Sequence, residues 1–226
     1  MATFFTTPTG THPALASLRR AGFSAQRIDQ VLALYDEPHR RYHDREHIGE
    51  MLDTALALGV ALTPAQALAL LFHDAVYVPG AARGSNEALS AQLLRVYAHE
   101  LTLDCIERAA AIVHDSARHV ARSVEAQIVL DLDLMRLAAP QPEFDRYSRA
   151  ILAEQRALIR LEDDDAAWRY FCRLRRPFFE ELLERDVIFA QPQCCAAFEA
   201  PARANLRAAL GAQSASLREP DSRGTA

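Results

Sequence analysis

The sequence predicts an all-α protein, and three observations predict it. Of 226 residues, 42 are Ala and 29 are Leu, against only 8 Gly, an excess of strong helix formers. Apolar residues recur at helical spacing between punctuating prolines at 38, 64, 79, 140, 142, 177, 192 and 201. No strand-like alternation persists, and no internal repeat is visible. With 50% hydrophobic and 24% charged residues, a chain of this length can bury a real core. We read one helical domain over 12–211, with flexible termini at 1–11 and 212–226.

Each element has its own signal. Residues 14–35 carry Leu15, Leu18, Ile28, Val31, Leu32 and Leu34 at helical spacing; residues 45–58 carry Ile48, Met51, Leu52, Ala55 and Leu56. Thr63-Pro64-Ala65-Gln66 is a helix start, with Thr as cap, Pro in the first helical position and Gln reaching back. That helix is expected to run through AQALALLFHDAVY, apolar nearly all round and therefore central and buried. Residues 78–84, VPGAARG, make a loop, after which Ser85 is expected to cap a helix beginning NEALSAQLL. Thr102 caps another, running to about His119. A mostly apolar helix covers 123–137 and ends before Pro140-Gln141-Pro142. Helices follow over 143–160, 164–175 and 177–188, because Pro177 suits a helix start and not its interior. A last helix covers about 196–210, and the small, polar tail from Gln213 is expected to be disordered.

Composition removes several classes of function. Lysine is absent, so all 25 basic residues are Arg, which excludes a P-loop lysine and a Schiff-base lysine. The net charge of −5 argues against an electrostatic nucleic-acid partner. No apolar run reaches the roughly 18–20 residues of a membrane span, and MATFFTTPTGTH lacks the charged start and apolar core of a signal peptide. Cys105, Cys172, Cys194 and Cys195 form no C-x-x-C pair and read as free thiols of a reducing cytoplasm.

The histidines carry the chemistry. Eight occur, and three are followed directly by Asp: His43-Asp44, His73-Asp74 and His114-Asp115. His73-Asp74 has the unusual setting, behind the apolar run Ala67–Phe72. A buried carboxylate costs several kcal/mol unless it is paired or bound to a cation. A metal ion ligated by both residues meets that demand; a salt bridge to Arg, with the imidazole bonded to backbone, meets it too. His47 lies 26 residues earlier on the preceding expected helix, and two antiparallel helices can bring the positions level. His43 and His47 are four apart on one helical face. A further carboxylate comes from Leu130-Asp131-Leu132-Asp133-Leu134-Met135, two acids in an apolar stretch. His12, His39 and His99 read as surface residues. Trp168 and Phe178-Phe179 read as core in preference to a substrate platform.

In this order on successive helices, these residues resemble the HD superfamily of metal-dependent phosphohydrolases. The likeness is nearer to a bacterial subgroup described as predicted metal-dependent HD phosphohydrolases. Arg41-Tyr42-His43 with His47-Ile48, and Phe72-His73-Asp74 with Val76-Tyr77, match its pattern. So do Asn86-Glu87 with Ser90-Ala91, Ser116 (usually Thr) with His119, and Leu130-Asp131 with Asp133-Leu134. Arg185 with Ile188-Phe189, and Asn205-Leu206, also fit, so the likeness spans roughly 20–210. Two departures stand out. Some HD nucleotidases carry a catalytic Glu three residues after the HD aspartate, where this chain has Tyr77. Leu152-Ala153-Glu154-Gln155 keeps a Glu but lacks the expected Arg and Tyr.

The resemblance implies a single-domain helical bundle of HD-domain type and a small phosphorylated substrate such as a nucleotide. It implies metal ligands His47, His73, Asp74 and one of Asp131 and Asp133. These last two point about 200° apart on a helix, so one site uses one of them. In the superfamily an apolar residue commonly follows two positions after the last Asp, which favours Asp133, followed by Met135. Two His and two Asp suit Mn²⁺, Co²⁺, Fe²⁺, Ni²⁺, Zn²⁺ or Mg²⁺ alike. Such a set leaves open positions for phosphoester hydrolysis in which Asp74 takes part. Glu87 is the candidate general acid or base, or else a first-turn carboxylate that favours the helix dipole. Arg41, Arg45, Arg83 and Arg118 are candidate phosphate contacts. His43, Asn86, His119 and Asp131 are candidates for places beside the ligands. Two other readings remain at this point: a non-catalytic metal- or nucleotide-binding regulator on the same scaffold, and a di-iron oxygenase.

Overall fold

The computed structural model describes residues 8–216, and every regular element among them is helical. The chain divides into two compact units, the first ending at Leu134 and the second beginning at Met135. The sequence reading took 12–211 as one domain.

The first unit is arranged around one helix. It contains α1 (Ala16–Arg20), α2 (Ala25–Leu32), α3 (Arg45–Ala57), α4 (Pro64–Phe72), α5 (Ser85–Tyr97), α6 (Leu103–Ser116) and α7 (Val124–Leu134). Seven of the nine residues of α4 are buried, from Ala65 and Ala67 through Phe72, and α4 packs against the other six helices. The all-round apolar pattern follows from that position, because every face meets another helix. Thr63 closes the expected capping box with Gln66.

Several boundaries differ from the expectation, each for a local reason. The 14–35 segment is broken between α1 and α2, where Gly22 adopts φ 112 and Ser24 caps α2 through Arg27 N. α4 stops at Phe72, so His73 and Asp74 lie in the turn after it and not inside a helix. Val76 N and Val78 N are satisfied instead by Ser90 Oγ and Asn86 Oδ1 of α5, at 3.0 and 3.1 Å. The N-cap of α5 is Gly84, at φ 87, and Ser85 is the first helical residue. α6 ends at Ser116, short of His119.

The stretch expected to be a flexible terminus at 1–11 is anchored where it is described. Gly10 N donates to Asp29 Oδ1 at 2.7 Å, and Arg19 Nη1 donates to Gly10 O and His12 O at 2.9 and 2.8 Å. Residues 1–7 and 217–226 lie outside the described residues.

The second unit begins with a 3₁₀ turn at Met135–Ala138 and contains α8 (Gln141–Gln155), α9 (Asp164–Glu184) and α10 (Pro192–Ser216). α9 runs straight through Pro177, where two helices were expected. Pro177 and Arg173 are both exposed, so the carbonyl that loses its helical donor is on the solvent side. α10 begins four residues earlier than expected and continues to Ser216, past Gln213. Asn205 Nδ2 donates to Leu137 O and Ala139 O at 2.8 and 2.7 Å, tying α10 to the 3₁₀ turn. Glu199 accepts from Ile188 N and Phe189 N, while Arg203 donates to the carbonyls of Leu183, Arg185 and Asp186. Those bonds close the α9–α10 connection onto α10.

Candidate metal centre

Three segments of the first unit supply the centre: the first turn of α3, the turn after α4 and the last turn of α7. Asp44 caps α3 by accepting from His47 N at 3.1 Å, which fixes the backbone that carries the first imidazole. His73 Nδ1 donates to Leu70 O at 2.8 Å, so the neutral ring carries its lone pair on Nε2. His73, the C-cap of α4, and Asp74, in the turn beyond it, both contribute to one point.

The structure brings together His47, His73, Asp74 and Asp133, with one ligand atom from each lying within 4.8 Å of the other three. His47 Nε2 lies 3.1 Å from Asp133 Oδ1, and His73 Nε2 lies 3.1 Å from Asp74 Oδ2 and 3.5 Å from Asp133 Oδ1. The imidazole side chains are 0% and 2% exposed, whereas those of Asp74 and Asp133 are 15% and 12% exposed. The cluster therefore has a buried nitrogen floor and a carboxylate edge nearer to solvent.

This donor set fits a cation. His73 Nε2 is fully buried, has no partner in hydrogen-bond geometry and faces two carboxylate oxygens. A lone pair aimed at two anions is repulsive unless a proton or a metal ion stands between them. Without metal the proton takes that place. Burial opposes charge on His73, but Asp74 and Asp133 outweigh it and hold the imidazole well above its ordinary 6.5. Burial likewise works to raise Asp74 and Asp133, and the imidazoles around them hold both carboxyls well below the usual range. Asp133 also sits in the last turn of α7, where the helix dipole disfavours an anion. A divalent ion offsets all of these costs at once.

His119 lies beside the ligands: its Nε2 is 3.1 Å from Asp133 Oδ2, whereas His47 and His73 face Oδ1. His119 is the one non-glycine residue with positive φ among the described residues, at 48°. The turn that holds it depends on Asp115, which is buried and accepts from Arg122 N at 2.8 Å. Asp115 also lies 3.5 Å from Arg122 Nε. Asp131 is buried outside the four-residue group. Of the two acids, the orientation of α7 brings Asp133 into the four-residue group.

Other candidate residues have structural tasks. Asn86 clamps Val78 through both amide atoms, Arg45 pairs with Asp36 through two nitrogens, and Arg83 donates to Ala117 O at 3.2 Å. Arg41 and Arg118 are exposed, and Glu87 is half-buried in the first turn of α5. His43 packs its ring on Tyr77, with centroids 4.2 Å apart, and is not one of the four ligands. His12, expected at the surface, is buried and pairs with Asp53 at 3.0 Å.

Sequence reasoning missed Arg40. Its side chain is 0% exposed, donates to the carbonyls of His43, Asp74 and Ala75 at 2.8–3.1 Å, and lies over the Tyr35 and Tyr77 rings. It ties the segment before α3 to the turn that carries Asp74. A signal existed in the run of two Arg and Tyr before His43, but nothing in it marks which Arg turns inward.

None of the four cysteines is in a disulfide, and no helix among the described residues is long and apolar enough to cross a membrane. Comparison of the chain with family models, with curated proteins and with solved structures finds no match in any of the three.

Proposed function

We propose that this protein is a metal-dependent phosphohydrolase of HD type that acts on a small phosphorylated molecule such as a nucleotide. The observation that carries this reading is the convergence of His47, His73, Asp74 and Asp133 on one point, with an unbonded buried Nε2 facing two carboxylates. The residue order matches the resemblance described from the sequence, and the partly exposed carboxylate edge gives substrate a side from which to approach.

His47, His73, Asp74 and Asp133 would hold the ion, here any of Mn²⁺, Co²⁺, Fe²⁺, Ni²⁺, Zn²⁺ or Mg²⁺. Bound there, it supplies Lewis acidity for a phosphoryl oxygen and a more acidic water. The protein's own groups do the rest. His73 keeps one tautomer through Leu70 O, His119 holds Asp133 by Oδ2, and Arg40 fixes the backbone on both sides of the site. Arg41, Arg83 and Arg118 are exposed and, with half-buried Arg45, are the candidates for phosphate. Glu87 remains the candidate proton carrier.

The full chain, loaded with Mn²⁺ or Co²⁺, should hydrolyse nucleoside monophosphates or simple phosphate esters and lose that activity on chelation. Metal-replete protein inactive across such a panel would favour the second reading, a metal- or nucleotide-binding regulator. That reading is supported by Tyr77, packed on His43 at the position where some HD nucleotidases carry a catalytic Glu.

A further inference from the structure

The second unit holds a cavity of about 400 Å³ that the metal chemistry does not use. Its volume falls in the range of ligand sites, roughly 300–1,000 Å³. The buried rings of Phe144, Phe171 and Phe179, with half-buried Trp168, make an aromatic wall. α10 contributes Ala208, Ala209 and Ala212 to the lining, whose small side chains leave space within it.

The charged groups of this cavity are mostly cationic. Arg169, Arg173 and Arg175 line it against a single acid, Asp145, in a protein whose net charge is −5. Arg175 is fixed in place: its guanidinium lies 4.6 Å from the Phe179 centroid and 5.4 Å from that of Phe171, and Nη1 donates to buried Ser148 at 2.8 Å. Arg169 and Arg173 are exposed and therefore mark the mouth. Positive charge at the rim and within, over an aromatic wall, selects an anion with a flat apolar body.

We propose that this cavity binds a small carboxylate with an aromatic body. The rings stack with the body, Ala208 and Ala212 allow it to lie flat, and the arginines attract the carboxylate. The reading does not depend on the metal centre.

The chain contains one Trp, and it lines the cavity, so its emission reports occupancy directly. The full chain, with chelator present, is titrated with 4-phenylbutyrate and with the neutral 4-phenylbutanol, following Trp168 emission and heat. The carboxylate should give a saturable change at millimolar concentration or below, and the alcohol should bind about tenfold more weakly. R169E/R173E reverses charge at exposed positions and should weaken the carboxylate about tenfold or more without altering the circular dichroism. A209F fills the space and should remove binding. If neither emission nor heat responds to the carboxylate, if the alcohol binds equally well, or if R169E/R173E binds like the parent, the proposal is overturned. The same holds if a folded A209F binds like the parent, and R169E/R173E decides alone should A209F fail to fold.

Discussion

His73 is under opposite demands at its two ring nitrogens, and that makes it the most informative residue of the molecule. Nδ1 is committed to Leu70 O, so whatever occupies Nε2 must be positive: a proton or a metal ion. In metal-free protein the raised His73 pKa contributes stability that is fully present below about pH 6.5 and lost as pH rises through the raised value. The depressed Asp74 and Asp133 contribute above about pH 4 and lose that contribution as pH falls through their folded values. Chelated protein should therefore melt highest between these limits, and added metal should remove the alkaline decline by replacing the proton. Thermal melts across pH, with and without chelator, check this; an alkaline decline unchanged by metal would take His73 out of the site. Substitutions give the second test. Asp133→Asn should release metal with the fold kept, because the change is nearly isosteric, and Asp131→Asn should keep metal and lower the melting temperature. Elemental analysis of both variants decides. Asp44 and Asp115 hold backbone positions next to His47 and His119. Asp115→Asn should thus weaken metal binding by roughly 10–100-fold without abolishing it, as supporting residues around a metal do.

Two elements depart from ideal geometry in ways that can be measured. The first is the approach of Gly10 to α2, where an added Cβ would stand 2.0 Å from Ala25 O. The obstacle is backbone, so Gly10→Ala should cost about 1–3 kcal/mol, read by denaturant unfolding. The second is α9, which continues through Pro177 at an exposed position. Pro177→Ala restores an N–H and removes the ring's crowding, and should raise stability by up to about 3 kcal/mol. No gain would mean that the surrounding helix already absorbs the proline without strain.

At the scale of the whole molecule, all four candidate ligands precede the division at Leu134. A bound ion should thus stabilise the first unit locally, by about 2.7 kcal/mol at a hundredfold excess over Kd. Hydrogen exchange read by mass spectrometry should slow in α3, α4 and α7 on adding metal, with α9 and α10 unchanged. Equal slowing in α9 and α10 would show that the two units respond as one.

The sequence alone determined the helical class and several helix starts, and it marked His47, His73, Asp74 and the Asp131/Asp133 pair as candidates for a metal. Capping chemistry is local, so Thr63 and Thr102 mark helix starts wherever the chain goes. Likewise, acids and imidazoles inside apolar runs are costly in any fold, which is why His73-Asp74 and Asp131/Asp133 were legible. What local signals do not contain is where an element stops when its partners come from another helix. α4 ends at Phe72 because Ser90 and Asn86 take over the amides of Val76 and Val78, and no residue within 64–77 announces that. The same physics hid Arg40, His12 and Asp115, three polar groups buried by carbonyls, a carboxylate or amides distant in sequence. The choice of Asp133 over Asp131 belongs to tertiary structure too: both lie on one apolar helix, and only the packing of α7 against α3 and α4 sets which of them meets His47 and His73.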